Sequence, residues 1–517
     1  MSRSRKNVGA SGSAASREGR HDDFSVFSYA AMLLLLPVTA FRVWSWVLRA
    51  GSSKVWDYGP AQFAFAVHQV AEGNSLYRDF RSPPYLPFPY GPVVPYTAAL
   101  LSRFLGSDAM AALKAGRALT MTATVAVCVF IYLLSRRAAA SRAAASIAAV
   151  AFALSPMLEP WGFEFRVDMP ALAFELAGLY LFSLGRQYCA LAAFVAGFFT
   201  KASCFAGIVA VALWCWFAGA RSKGLGLLGA WAGIVLVING VLQALFPYYL
   251  LNTFKALSPL YSSVEFALLF PGAAVVSNWG IVILAATGMA EPFRGRGLPR
   301  LFLLVAALQG VVACMKWGSN LYYFLPALAG ATIVSANGID VLMRLAARLP
   351  KVGRAWSGGI VALGLLAQLY VVSVWYGGDG FPTVSQLART GLKCCYISDP
   401  RDPDPAALRL LRKMDGPVLT DAPELLLADE RKSVWFIELF LITGMRLRGI
   451  FDDGRLLGDI RQQRIAALAL DGELLGRQWG GVECFWPELR EAIVANYYLV
   501  PSIGPPYIAL PRGKAVP

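Results

Sequence analysis

Apolar runs recur along residues 27–375, separated by short stretches rich in arginine and lysine, and that pattern leaves few folds open. A bilayer core of about 30 Å takes roughly 20 apolar residues as a helix, fewer where the ends sit in the interface. Of the 517 residues 57% are hydrophobic and only 15% charged, with a mean hydropathy of +0.53. A soluble domain carries about 25% charged residues. The pattern implies an all-α polytopic membrane bundle. The net charge is +15, and the basic residues fall mainly between the apolar runs, which marks topology and contact with membrane lipids. No zinc-finger, basic-helix or aromatic RNA-binding signature accompanies the charge, so nucleic acid is set aside as a partner.

Loop charge orders the spans. Residues 1–26 are polar and basic, lack the apolar core of a signal peptide, and read as a disordered cytoplasmic tail before an uncleaved first helix at about 27–48. The run Gly91–Gly106 is short for a span, opens with Pro92 and Pro95, and carries Arg103. If it crosses, every later loop inverts. If it lies on the outer interface as an amphipathic helix, the next span is Arg117–Arg137. The loops assigned inside then collect Arg136, Arg137, Arg142, Arg186, Arg221, Lys223, Arg294, Arg296, Arg300, Arg344, Arg348, Lys351 and Arg354. That choice satisfies the positive-inside rule, and the opposite one breaks it.

Further spans fall near 143–158, 170–184, 188–200, 205–218, 224–246, 266–288, 301–314, 322–343 and 357–375. The total is about eleven, with the N-terminus inside and the C-terminus outside. Residues 27–377 thus form one membrane domain with a first outer loop at about 49–116. From 378 to 517 no further span appears. There "PVLT", "DAPELLLADER", "RLLGDIRQQ", "RIAALAL", "WPELREAIVAN" and "YYLV" alternate strand and helix, predicting a small extracytoplasmic α/β domain. Five cysteines (Cys128, Cys189, Cys204, Cys215, Cys314) read as packing residues, and one of the pair Cys394–Cys395 is a candidate partner for Cys484.

The outward segments carry the chemistry. The first holds "KVWDYG" with Asp57, then "AQFAFAVHQVAE", whose Phe63, Val67 and Val70 share a side suited to the membrane surface, then "GNSLYRDFRSPPYLPFPYGP". The second is "EPWGFEFRVDMPA", with Glu164, Arg166 and Asp168. Lys201 ends a span in "FFTKAS", and Lys316 and Asn320 sit in "KWGSNLYYFLP". Glu175 lies seven residues beyond Asp168 on the same helical face, and an intramembrane carboxylate is a functional candidate because it is costly. His68 reads as a polar-face residue, and Asp452-Asp453-Gly454 as a turn and helix cap rather than a metal motif.

In order and spacing, "GNSLYRD", "YGPVVPY", "FRVDMPALA", "FFTKAS" and "GSNLYYFL" resemble the GT-C class of membrane glycosyltransferases. The likeness is to bacterial relatives of the protein O-mannosyltransferases, including aminoarabinose and lipopolysaccharide-core sugar transferases. It implies inverting transfer of a sugar from a polyprenyl-phosphate-linked donor to a glycan, lipid or protein acceptor outside the bacterial cytoplasmic membrane. On this resemblance Asp57 is the general base, with Asp168 as a second catalytic carboxylate. Arg78, Arg81, Lys201 and Lys316 hold the donor phosphate. Tyr77, Asp79, Tyr90, Arg166, Glu175, Asn320 and Tyr323 line the substrates. No metal or other cofactor is expected, because fixed cations can neutralise the leaving phosphate. One departure is that Asp57 is followed by Tyr58, where several relatives carry an Asp-Glu pair. Two other classes are a lipid-linked sugar flippase and a non-catalytic scaffold whose tail binds an envelope partner. Charges clustered at one face, without paired half-repeats or matching broken helices, speak against the flippase.

Overall fold

The computed structural model describes residues 25–55, 59–106, 108–159, 161–257, 264–290, 297–315, 320–375, 405–422, 424–428, 434–436, 439–470, 478–479, 482–483, 485–500 and 507–513. The Cys394, Cys395 and Cys484 pairing lies outside them.

Helix α1 (Val26–Gly51) begins at a capping box between Ser25 and Ser28. Helix α2 (Gly59–Ala71) follows, then α3 (Val93–Leu105), α4 (Ala109–Arg137), α5 (Arg142–Ala153), α6 (Asp168–Ser183), α7 (Gln187–Phe198), α8 (Ala206–Phe217) and α9 (Arg221–Leu245). Then come α10 (Val264–Ser277), α11 (Trp279–Met289), α12 (Gly297–Cys314), α13 (Leu325–Ala346) and α14 (Lys351–Trp375).

Among the described residues six helices are long and apolar enough to cross a membrane, or seven counting one bent pair, so the protein is a multi-pass membrane protein. The expected spans over 143–158, 188–200 and 205–218 are helices of only 12 residues, α5, α7 and α8, about 18 Å each at 1.5 Å per residue. Two of these short helices, α7 and α8, help to carry the site.

Helix α13 is the hub. Its run Leu325–Ile339 is almost wholly buried and rich in Ala, Gly, Ser and Thr, which lets neighbouring backbones come close. Gly338 lies against the backbone of Leu284 and Gly288, and Gly330 against Leu303. At the end with the basic loops, Ser141, the cap of α5, is held by Asp340 of α13 through its N–H (2.8 Å) and hydroxyl (2.6 Å).

Three expectations are corrected. The run over 266–288, expected as one span, is two helices, α10 and α11, turned by 88° at Asn278. Asn278 fills the break: it donates to the Ala274 carbonyl (3.0 Å) and accepts from the Ser155 hydroxyl (2.6 Å). Helix α4 starts at Asp108, which caps Ala111, and not at Arg117, because Arg117 finds a buried carboxylate and stays inside the helix. On α2, Phe63, Val67 and Val70 are buried against protein, with Phe165, Val167 and Leu113 in the same cluster, rather than facing lipid. The amphipathic interfacial shape belongs to α3, which buries Val94, Ala98 and Ala99 and exposes Leu100 and Phe104.

The C-terminal domain is the expected α/β unit. Strands β1 (Val418–Thr420), β2 (Val434–Phe436), β3 (Ala467–Leu470), β6 (Tyr497–Leu499) and β7 (Tyr507–Pro511) form a sheet in the order β2-β1-β3-β7-β6. The first three are parallel and β7 is antiparallel to its neighbours. β4 (Gln478–Trp479) and β5 (Val482–Glu483) form a separate hairpin. β1 and β3 are buried throughout, as parallel strands covered on both faces are. Helices α15 (Pro405–Lys413), α16 (Leu425–Ala428), α17 (Leu439–Arg446), α18 (Gly454–Arg461) and α19 (Pro487–Asn496) cover the sheet. Asp452 accepts from the Gly454 N–H and Asp453 pairs with Arg446, the turn the sequence implies. The domain docks on the first loop, where Tyr85 sits edge-on to Trp435 and Phe451, and on the turn after α9, where Arg448 donates to the Ala256 carbonyl (3.2 Å).

Candidate active site

At the end of the bundle away from the basic loops, the starts of α2, α6, α8 and α13 meet the end of α7. Lys201, just past α7, puts its ammonium 2.6 Å from Asp168 Oδ1, the first residue of α6. The same ammonium lies 4.5 Å from the ring centres of both Tyr322 and Tyr323, in the turn before α13. Ring faces favour a cation, and an ammonium has three donors. Among the described residues only Asp168 takes one of them. Tyr90 and Arg166 lie within electrostatic reach of the Tyr322 hydroxyl. The Arg166 guanidinium packs on Gly59, where a Cβ would fall 2.5 Å from Nη1.

A buried frame fixes these pieces. Arg117 and Glu164, both fully buried, form a two-pronged pair at 2.8 and 3.1 Å. Arg117 also donates to the carbonyls of Ser52 (2.7 Å) and Lys54 (2.6 Å), so one side chain ties α1's exit to the 159–167 segment. Glu159 gathers Trp46 (2.8 Å), Arg42 (3.3 Å) and Arg49 in the same way. Asn252, in a π-helical turn at Leu251–Lys255, donates to the Arg78 carbonyl (2.8 Å) and accepts from the Phe88 N–H (2.9 Å). It pins both halves of the "LYRD…YGP" segment. That segment ends at Gly91, which lies directly on the Phe199 carbonyl, two residues before Lys201.

The structure therefore brings together Tyr90, Arg166, Asp168, Lys201 and Tyr323 from the sequence candidates and adds Tyr322. Glu175 sits one layer deeper, its carboxylate taken by the Gly207 N–H (2.7 Å). Tyr77 is core: its hydroxyl donates to the Tyr90 carbonyl (3.0 Å) and its ring packs edge-on to Tyr249. Arg78 donates to Gln69 (3.0 Å) and to the Ser75 carbonyl (3.1 Å). Arg81 is exposed and forks Asp79 at 2.7 and 3.0 Å, and its hydrogen bonds hold the Asp79 carboxyl below the usual carboxylate range. Asn320 caps the Leu321–Phe324 turn. Asp57 and Lys316 lie outside the described residues. Sequence reasoning missed Tyr322, although the doublet in "NLYYF" was in view, and missed the frame of Arg117, Glu159 and Asn252, whose partners lie 47, 110 and 164 residues away.

No protein-family model matches the chain, and no curated protein matches it in sequence. Solved structures do. The crystal structure of ArnT from Cupriavidus metallidurans bound to undecaprenyl phosphate is 12% identical at a TM-score of 0.55, covering 92% of this chain and 97% of that one. The oligosaccharyltransferase of Archaeoglobus fulgidus in its apo form is 11% identical at 0.51, covering 95% and 74%. Both are GT-C glycosyltransferases. The chain has the GT-C fold. Such a match over nearly its whole length takes in the bundle and the small sheet domain alike.

Proposed function

We propose that the protein is an inverting membrane glycosyltransferase that takes a sugar from a polyprenyl phosphate and passes it to an acceptor outside the cytoplasmic membrane. The observation that carries this reading is Lys201: a half-buried ammonium braced by one carboxylate and two tyrosine faces, with N–H donors left for an anion. Arg166 and Tyr90 act electrostatically on the hydroxyl of Tyr322, the ring that Lys201 faces. The GT-C fold, and a polyprenyl phosphate bound to one protein that shares it, point to the same ligand class.

In the reaction an acceptor hydroxyl oxygen attacks the anomeric carbon, the bond from that carbon to the phosphate oxygen breaks, and polyprenyl phosphate leaves. Its oxygens gain charge as the bond breaks, and Lys201 and Arg166 meet that charge. The hydroxyl proton passes to a carboxylate. Asp57 is assigned this role on the resemblance of the outward segments to GT-C transferases, in which an acidic residue follows the first helix. Asp168 holds Lys201 in place. The chain's own cations supply the neutralisation that a metal supplies elsewhere, so no obligatory metal is part of the proposal. Among the described residues the one broken helix has no counterpart that would form a second half-site for a transporter. The test is to incubate the purified protein with radiolabelled polyprenyl-phosphate sugars and envelope fractions. Covalent transfer, with the donor KM raised by Lys201→Met, supports the reading. Sugar crossing vesicles without covalent transfer refutes it.

A further inference from the structure

The reaction as proposed gives Glu175 nothing to do, yet this carboxylate is 1% exposed in the heart of the bundle. Its Oε1 accepts the Gly207 N–H at 2.7 Å, in the first turn of α8. The residue flanking α8, Phe205, offers no side-chain cap of its own. A helix start leaves N–H groups without intrahelical partners, and a carboxylate suits them in both hydrogen bonding and charge. The fit is close: a Cβ on Gly207 would fall 2.8 Å from Glu175 Cγ and 2.7 Å from Phe194.

Two further contacts join the same two segments. The Cys204 thiol donates to the Ala171 carbonyl (3.3 Å), and Lys201 Nζ donates to Asp168 (2.6 Å). Residues 168, 171 and 175, on one face of α6, thus hold residues 201, 204 and 207 in register. The Cys204 N–H bonds back to the Lys201 carbonyl (2.8 Å), so the turn moves as a unit.

We propose that Glu175 is a positioning residue for Lys201: as the borrowed cap of α8, it fixes the turn that aims the ammonium at the donor phosphate. This rests on the reading of Lys201 as a phosphate ligand, so one readout below is independent of catalysis. Capping requires an acceptor oxygen, which an amide also has. Proton transfer or charge pairing requires the carboxylate itself.

The experiment compares Glu175→Gln, Glu175→Leu and Gly207→Ala in the full-length protein in nanodiscs. It measures amide hydrogen exchange across residues 201–208 and the KM for a polyprenyl-phosphate sugar. Glu175→Leu is expected to speed exchange at Gly207 and to raise the donor KM about 10- to 100-fold, with a smaller change in kcat, as a misplaced ligand does. Glu175→Gln is expected to restore most of both. Gly207→Ala attacks the contact from the other side and is expected to reproduce the Leu result, which keeps the test open should the Leu variant fail to fold. Gln as damaging as Leu, or exchange unmoved in Leu, overturns the proposal. Altered exchange with an unmoved donor KM in Glu175→Leu also overturns it, by cutting the link from turn to donor. Should Lys201→Met leave the donor KM unchanged as well, the phosphate assignment fails with it.

Discussion

Helix α9 and the α6–α8 block are both built of apolar residues and glycine, yet they obey different constraints. Along its 25 residues α9 buries only Gly224 and Val235, while Leu236, Val237 and Leu245 are exposed. Its Gly226, Gly229, Gly233 and Gly240 have open space where a Cβ would go. In the block, Gly178 and Gly207 press on Phe194, and Gly197 presses on Cys204. A lipid-facing helix need only be long and apolar. A helix that carries a site needs particular atoms at particular distances, and length is what it gives up: α7 and α8 have 12 residues each.

The contrast can be broken by matched substitutions. Arg117→Met leaves Glu164 as an uncompensated buried charge and is expected to destabilise the protein by about 3–5 kcal/mol in reversible denaturation. Lys223→Met at the start of α9, which loses one cation–ring contact to Phe182, is expected to cost under about 1 kcal/mol. Equal effects would erase the distinction. Gly207→Ala is expected to cost about 1–3 kcal/mol through overpacking. The same change at Gly233, where nothing stands in the way, is expected to stabilise by up to about 1 kcal/mol. The sign, read from paired melting curves, is the test.

On the exposed rim the effects shrink. Arg81 holds Asp79 below its ordinary value of 3.8, so the pair adds stability above that pH and loses it as pH falls through the lower folded value. Asp79→Asn is therefore expected to flatten the acid limb of stability below about pH 4, by less than about 1 kcal/mol for so exposed a pair. A chelator is expected to change transfer least, by under about twofold, if fixed cations carry the neutralisation.

Where meaning lay in local pattern, the sequence was legible. Hydropathy and loop charge placed the helices, and "PVLT", "RIAALAL" and "YYLV" contained the strands β1, β3 and β6. The gathering of "YGP", "RVD", "TK" and "NLYY" into one site was legible as order along the chain. The frame was not. Arg117 read as the polar edge of a span because nothing within a turn of it signals Glu164, and Asn252 looks like any loop asparagine until Phe88 and Arg78 are beside it. The break at Asn278 was hidden because both arms are apolar and the run reads as continuous. Long-range polar pairs leave no periodicity, which is why they escape a reading built on periodicity.

The central claim is that this end of the bundle transfers a sugar from polyprenyl phosphate, with a carboxylate taking the acceptor's proton. The most direct measurement is single-turnover transfer of a radiolabelled sugar by the wild-type protein and by Asp57→Asn. Covalent transfer is expected for the wild type and a rate lower by about 10²- to 10⁴-fold for the variant, the range for loss of a general base. Undiminished transfer by Asp57→Asn would contradict that claim.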